Sequence, residues 1–239
     1  MTTERRGVFH GKHLGGAGRD LTSAQLAQFE AVLELLREDE HAPTAVRDVE
    51  QAVDIHLADS LAALEIDAIA AAGILADLGA GAGFPGLAIA IALPGAEMSL
   101  VESHQRRCEF LERVRVHAGI ENARVVRARA EAWSEGLSGN DVVMARALAA
   151  QPVVLEYAAP LLRIGGTLVD WRGKRLGTEE EASLAAAEVL GLKRLEIRRV
   201  EPFEGATDRH LHVFQKVGET PERFPRRPGM ARKRPLGFT

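Results

Sequence analysis

The chain has 239 residues, 46% of them hydrophobic and 27% charged, with a net charge of −4, enough apolar material to bury the core of one domain with small extensions. One cysteine, Cys108, excludes an internal disulfide and any multi-cysteine zinc site. No apolar stretch reaches the roughly 18 residues that a membrane helix needs, and the first residues lack the apolar core of a signal peptide, so the expected location is the cytoplasm.

Residues 1–20, rich in glycine and charge, read as a mobile arm. Thr22-Ser-Ala-Gln25 has the form of a capping box, and Leu26, Phe29, Leu33 and Leu36 recur at helical spacing, which predicts a helix ending near Glu40. A second helix is expected from about Asp48 to Leu64, burying Val49, Val53, Leu57, Leu61 and Leu64; the two make a helical cap over residues 21–66. His56, Asp59 and Ser60 fall within one turn of it, and a hydrolytic triad cannot converge from one turn. Their expected role is an i,i+3 pair on a polar face, or a tie from cap to sheet.

Leu75–Leu93 reads LADLGAGAGFPGLAIAIAL, the pattern of a strand, a glycine turn and a helix. Glycines 79, 81, 83 and 86 are expected to leave backbone N–H groups bare at a helix N-terminus, an attractive place for a polar or anionic ligand. Gly81, Gly83 and Gly86 satisfy the dinucleotide pattern G-x-G-x-x-G, with Glu102 at the ribose position. The longer phrase Asp77-x-Gly79-x-Gly81-x-Gly83 resembles instead the first motif of S-adenosylmethionine-dependent methyltransferases. That cofactor carries a cationic sulfonium and no pyrophosphate. An acid ending the strand, Asp77, suits its amino group or ribose.

From 67 to 217 strands and helices alternate as in a parallel α/β domain. Strands are expected at 98–101, ending in Glu102, then at 123–126, 141–144, 166–170, 195–200 and 210–216. Helices are expected at 105–118, from Pro152, and at 178–190. With the strand before the glycines this makes an α/β, Rossmann-like fold: a mostly parallel seven-stranded sheet flanked by helices, its ligand crevice beyond the carboxyl ends of the strands. Glu102 at such an end can accept both ribose hydroxyls. His210 and His212 alternate on one strand face, but without further ligands nearby they read as structural, and no metal is expected. The tail, 218–239, holds six basic residues from Arg223 onward, no acids after that point, and three prolines, leaving −10 on the rest of the chain. It reads as an extended segment for a nucleic-acid backbone, through Arg223, Arg226, Arg227, Arg232, Lys233 and Arg234. A second arginine concentration, from Arg106 to Arg129, flanks the strand that ends in Glu102.

Ala45-Val-Arg47-Asp48, His56-x-x-Asp59-Ser60, the glycine phrase through Gly-Phe-Pro-Gly86, Glu102-Ser-x-x-Arg106-Arg107, Arg129-Ala130-Glu131, Ala145-Arg146-Ala147 and Arg209-His210-Leu211 together resemble the ribosomal small-subunit methyltransferase G family, also called glucose-inhibited division protein B. The likeness runs over roughly residues 22–216, and Pro-Arg-Arg-Pro-Gly resembles a tail that many members carry. It implies a bacterial enzyme that uses S-adenosylmethionine to methylate N7 of one guanine in a small-subunit (16S) ribosomal RNA loop. It further implies that Gly79 and Phe84, with Asp77, Gly81 and Gly83, hold the cofactor through the loop. Glu102, Ser103 and His104 would meet its ribose, Ala130 and Glu131 its adenine, and Arg146 the methyl-transfer site as both cofactor-binding and catalytic residue. Arg47 and Arg172 are implied RNA contacts. Two departures are Ala42-Pro43-Thr44 for the family's Asn-Leu-Thr, and Arg172-Gly173 for its Lys-Gly. Guanine N7 offers a lone pair without a proton, so in-line transfer needs no general base, and a splayed base can stack on Arg146 or Arg172. The alternatives are a methyltransferase acting on another RNA or a small molecule, a nicotinamide dehydrogenase on the same fold, and a non-catalytic RNA-binding protein. The expected partner is small-subunit ribosomal RNA or the small ribosomal subunit, with no membrane, and the expected state is a monomer.

Overall fold

The computed structural model describes residues 21–46 and 48–238; the expected arm at 1–20 and the expected RNA contact Arg47 lie outside the described residues. Helix α1, Ser23–Glu38, opens on the expected capping box: the Thr22 hydroxyl accepts from the Gln25 N–H at 3.3 Å, and Gln25 Oε1 accepts from the Thr22 N–H at 2.9 Å. It buries Phe29, Val32, Leu33 and Leu36 and ends where Asp39 turns extended, slightly before the expected Glu40.

The interval expected as a single α-helix is composite. An α-turn, Val49–Ala52, leads into π-helical turns, Val53–Ala58, a short α-turn, Asp59–Leu61, and a 3₁₀ turn, Ala62–Glu65. Such widened turns frequently accompany functional sites. Here His56, Asp59 and Ser60 are all buried, so this polar cluster faces the protein rather than an outer polar face. The expected apolar stripe is also inward, with Val53, Leu57, Leu61 and Leu64 buried and Val49 half-buried. A short helix, Asp67–Ala70, follows.

Seven strands form one sheet in the order β3-β2-β1-β4-β5-β7-β6. They are β1 (Ile74–Leu78), β2 (Glu97–Glu102), β3 (Ala123–Arg127), β4 (Asn140–Arg146), β5 (Leu162–Arg172), β6 (Leu192–Arg199) and β7 (His210–Lys216). The first five pair in parallel; β7 runs antiparallel between β5 and β6. The central strands are near-continuous apolar runs, because helices cover both their faces. These helices are Gly86–Ala92, Gln105–His117, Gln151–Ala158 and Gly177–Val189. On one face, Phe29 of α1 and Leu57 and Leu61 of the cap share a core with Leu87, Leu100 and Phe110. The other face packs Val143, Val154, Leu155 and Phe214 with Phe224 and Ala231 of the tail.

That last contact corrects the expectation for the tail. Instead of extending, it folds back on helix Gln151–Ala158, with Phe224 and Ala231 buried and a short helix at Met230–Lys233. Arg226 forks onto the fully buried Glu156, with Nε at 2.9 Å from Oε1 and one Nη at 2.5 Å from Oε2, and its backbone N–H bonds the same carboxylate at 3.1 Å. A buried carboxylate needs a cation. Arg226 is therefore committed inside the molecule and is not available to a nucleic-acid backbone. Among the described residues no helix is long and apolar enough to cross a membrane.

Candidate active site

The glycine loop starts where β1 ends, at the reversal of strand order between β1 and β4, where ligands of open α/β sheets bind. Its amides are not bare. Gly79 and Ala80 donate to the Val101 carbonyl at 2.8 and 3.1 Å, Gly83 to the Ala80 carbonyl at 2.6 Å, Gly81 to Glu102 Oε2 at 3.2 Å and Gly86 to Asp77 Oδ2 at 2.9 Å. The expected row of free N–H groups is thus spent on the protein itself, because the loop folds over the ends of β1 and β2. A phosphate would find few donors here, whereas a cationic ligand needs none.

Asp77 is fully buried, and burial pushes its carboxyl up to about 6 against the Gly86 N–H bond. It holds the loop from beneath through the Gly86 amide and is not among the residues that line the cleft. A Cβ on Gly86 would lie 2.8 Å from Asp77 Oδ2 and 2.3 Å from Leu100 Cδ2, so only glycine fits there. The Phe84 ring is buried too, stacked on His56 at 4.7 Å between centroids. Gly83 packs on Leu87 and Leu111.

Beyond the strand ends lies a cleft of about 180 Å³ lined by Gly79, Glu102, Ser103, His104, Ala130 and Glu131, six of the residues singled out in the sequence. Glu102 Oε1 accepts the amides of Ser103 at 2.7 Å and His104 at 2.8 Å, which with Gly81 fixes the carboxylate at the rim. Gly79, at φ +72, has no room for a side chain: a Cβ would lie 2.6 Å from Leu148 Cδ1. Sequence reasoning missed Tyr157, Leu148 and Arg232 on the same cleft. Tyr157 is the chain's one tyrosine, but nothing in the local pattern sets it or Arg232 beside the glycine loop.

Arg146 lines a second pocket instead of the cofactor cleft. This pocket, of about 400 Å³, is bounded by Asp59, Arg146, Trp171, Arg172, Arg209 and His210, and Ala147, at φ +53, lines both spaces. The Arg146 guanidinium donates to Asp59 Oδ2 and the Ile55 carbonyl at 3.0 Å each, and meets His56 Nδ1 at 3.4 Å. The Trp171 indole N–H donates to the Asp59 carbonyl at 3.0 Å. His56 and Asp59 therefore tie the cap to the sheet. Burial, with the Arg146 charge, pushes His56 down to about 4, so the ring is neutral, and its Nε2 lies 3.0 Å from Thr44 Oγ1. The divergent Ala42-Pro43-Thr44 segment thus keeps a place in this network, with Ala42 in the core. Arg172 donates to the Ala149 carbonyl at 2.8 Å and pairs with Glu179 at 2.5 Å.

Below this pocket Gln151 joins Asp170, at 3.0 Å, to His212, at 2.9 Å. Burial pushes Asp170 up to about 7 and His212 down to about 4. Of the remaining tail cations, Arg223, Arg227, Lys233 and Arg234 are exposed, while Arg232 donates to the Leu148 carbonyl at 2.9 Å. No group of three potential metal-binding side chains occurs among the described residues.

A parallel sheet closed by an antiparallel seventh strand, with a strand-end carboxylate facing a self-bonded glycine loop, defines a Rossmann-like α/β fold with its ligand crevice at the strand ends. The fold matches that of a mutant 16S rRNA (adenine(1408)-N(1))-methyltransferase from Catenulisporales acidiphilia solved with its cosubstrate S-adenosylmethionine, with a TM-score of 0.51, 20% identity and coverage of 65% of this chain and 90% of that one. The family model described as GidB, rRNA small subunit methyltransferase G, matches residues 23–212. Proteins named ribosomal RNA small subunit methyltransferase G are similar over most of the chain. That of Syntrophomonas wolfei is 39% identical over 76% of this chain and 85% of its own length, and that of Chloroflexus aggregans 38% over 92% and 93%. The chain belongs to the rRNA small subunit methyltransferase G family, and is by that membership a methyltransferase.

Proposed function

We propose that the protein methylates guanine N7 in 16S ribosomal RNA, with S-adenosylmethionine as the methyl donor, as a cytoplasmic monomer. The observation that carries this reading is the pair of spaces sharing Ala147: a cleft rimmed by Glu102 and Glu131, and beside it a pocket of arginines with one tryptophan. The cleft suits the cofactor by its chemistry. Two carboxylates line it, most of the glycine loop's amides are already bonded within the protein and so are not offered to a pyrophosphate, and a side chain at Gly79 would collide with Leu148 on the cleft wall. The same donor count disfavours a nicotinamide dinucleotide.

When bound, S-adenosylmethionine supplies an electrophilic methyl group on sulfur. Glu102 then accepts from the ribose while Gly81, Ser103 and His104 hold its carboxylate in place. Ala130 and Glu131 border the adenine, and Ala147 leaves a passage between the two spaces. Arg146 sets the far wall against a splayed guanine, with Trp171 and Arg172 as stacking surfaces; Trp171 adds an aromatic plane to the two arginines anticipated from sequence. No residue needs to remove a proton from N7. Alignment alone lowers such a bimolecular barrier by about 7–11 kcal/mol. The exposed Arg223, Arg227, Lys233 and Arg234 contact RNA phosphates, where counterion release favours binding.

The test is transfer of labelled methyl to small ribosomal subunits taken from cells lacking their own N7 enzyme, followed by digestion to nucleosides. Label in N7-methylguanosine at one position is the expected result. Label in another nucleoside overturns the substrate assignment, and absence of S-adenosylmethionine binding overturns the cofactor.

A further inference from the structure

The Arg146 guanidinium is held from residues 55–59 of the cap, and its two terminal nitrogens are held differently. One Nη donates to both the Ile55 carbonyl and Asp59 Oδ2, at 3.0 Å each, while the other meets only His56 Nδ1, at 3.4 Å. The first set fixes where the group sits. The second contact sets how its plane is turned. A guanidinium has donors only, so Nδ1 is the acceptor of the imidazole, and the proton of this neutral ring lies on Nε2, which donates to Thr44 Oγ1 at 3.0 Å. Thr44 Oγ1 also accepts from the Val46 N–H at 3.1 Å, so the group that selects the tautomer is itself fixed. The Ser60 hydroxyl donates to the His56 carbonyl and ties down the same turn.

The imidazole also touches the glycine loop. Phe84 stacks on it with 4.7 Å between centroids and 5° between planes, and the Arg146 guanidinium carbon lies 5.9 Å from the centre of the Phe84 ring. Phe84, His56 and Arg146 thus close a triangle joining the loop, the cap and the end of β4. Gly79 of that loop lines the cofactor cleft, and Arg146 lines the pocket beside it. His56 and Phe84 line neither space and are both buried. Any effect they have on a reacting group therefore passes through Arg146.

We propose that His56 is a positioning residue for methyl transfer: its Nδ1, aimed by Thr44 and by the stack on Phe84, fixes the plane of the Arg146 guanidinium in register with the glycine loop. The inference rests on the reading of Arg146 as the residue beside the reacting base. It gives the buried Phe84 ring a task toward Arg146, and it places Thr44 in the same chain of contacts.

The experiment compares His56→Asn with His56→Leu, two side chains of matched shape. Both lose the ring stack, but Asn carries an oxygen one bond from Cγ, where Nδ1 stood, and Leu carries none. The readouts are the single-turnover rate of methyl transfer to small ribosomal subunits, which isolates the chemical step, calorimetric affinity for S-adenosylhomocysteine, and the urea midpoint. His56→Leu is expected to transfer at least about tenfold more slowly than His56→Asn, the size of loss that follows from misplacing a reacting group, with cofactor affinities within threefold of each other. Val53→Ala, a buried residue of the same π-helical turns, is the control for cap stability alone, and is expected to lower the urea midpoint while keeping the wild-type rate. Equal rates for His56→Asn and His56→Leu, or a rate for Val53→Ala that falls as far as that of His56→Leu, overturn the positioning role and leave the proposed function standing. A wild-type chain that transfers no methyl group to the subunits overturns the proposed function and this inference with it.

Discussion

Arg146 and Asp59 form an ion pair at 3.0 Å across the seam between the end of β4 and the helical cap, both largely hidden from solvent. Asp59 also faces Arg209 at 3.5 Å, and its Oδ1 has no hydrogen-bond partner. One carboxylate thus positions two guanidiniums of the second pocket. Arg146 consequently has two duties, one in the fold and one, in the proposed function, beside the reacting base.

The two duties separate in a double variant. Arg146→Ala is expected to abolish methyl transfer and to cost stability approaching the roughly 3–5 kcal/mol seen when a buried pair loses one partner, moderated by Arg209. Asp59→Asn added to Arg146→Ala removes the stranded charge, so the urea midpoint recovers while transfer stays lost. Recovery of transfer along with the midpoint would show that Arg146 serves the fold alone.

Glu102 accepts three backbone amides while lining the cleft. Glu102→Gln replaces one acceptor oxygen with a donor that faces these amides, and hydrogen bonds to a charged group are worth about 1.5–3 kcal/mol each. S-adenosylhomocysteine is expected to bind about 100-fold more weakly by calorimetry, equivalent to about 2.7 kcal/mol. Affinity within threefold of wild type would remove Glu102 from the cofactor site.

Gly86→Ala tests the packing under the loop. Its Cβ would press on both Leu100 and Asp77, and overpacking of this kind costs about 1–3 kcal/mol. Gly95→Ala meets nothing within 4 Å and is the matched control, with an expected change inside about 0.5 kcal/mol. Equal urea midpoints for the two variants would contradict the packing described here.

Asp170 and His212 titrate with opposite signs. Asp170 binds its proton more tightly in the folded chain, so its contribution is present below the unfolded value of 3.8 and is lost as pH rises through about 7. His212 binds its proton less tightly when folded, so its contribution is present above 6.5 and is lost as pH falls through about 4. In wild type the two slopes oppose each other between pH 4 and 7. Relative to wild type, Asp170→Asn is expected to gain stability as pH rises across this window, and His212→Gln to lose it. Melting curves at half-unit steps in pH report both, and parallel curves for the three proteins would refute the pairing.

Local patterns were enough for most elements and for part of the site. The capping box at Thr22, the glycine phrase after Asp77 and the alternation through Lys216 depend on residues a few positions apart, and their structures follow from short-range sterics and periodicity. Glu102, Ser103 and His104 were legible because a strand end fixes where the next residues emerge. The cap was legible in extent but not in form: π-helical turns between Val53 and Ala58 accompany three polar side chains that must all find partners inside.

What only the tertiary structure decided concerns partners far apart in the chain. Arg226 and Arg232 look alike in sequence, yet one is spent on Glu156, 70 residues away, and the other reaches the Leu148 carbonyl, 84 residues away. The glycine amides that seemed free are bonded to Val101 and Glu102 once β2 lies beside β1. Trp171, Arg209 and His210 meet at one pocket only because β7 inserts between β5 and β6. Sequence spacing sets which groups a segment offers; burial, by demanding a partner for every charge and amide, sets which of them remain for a ligand.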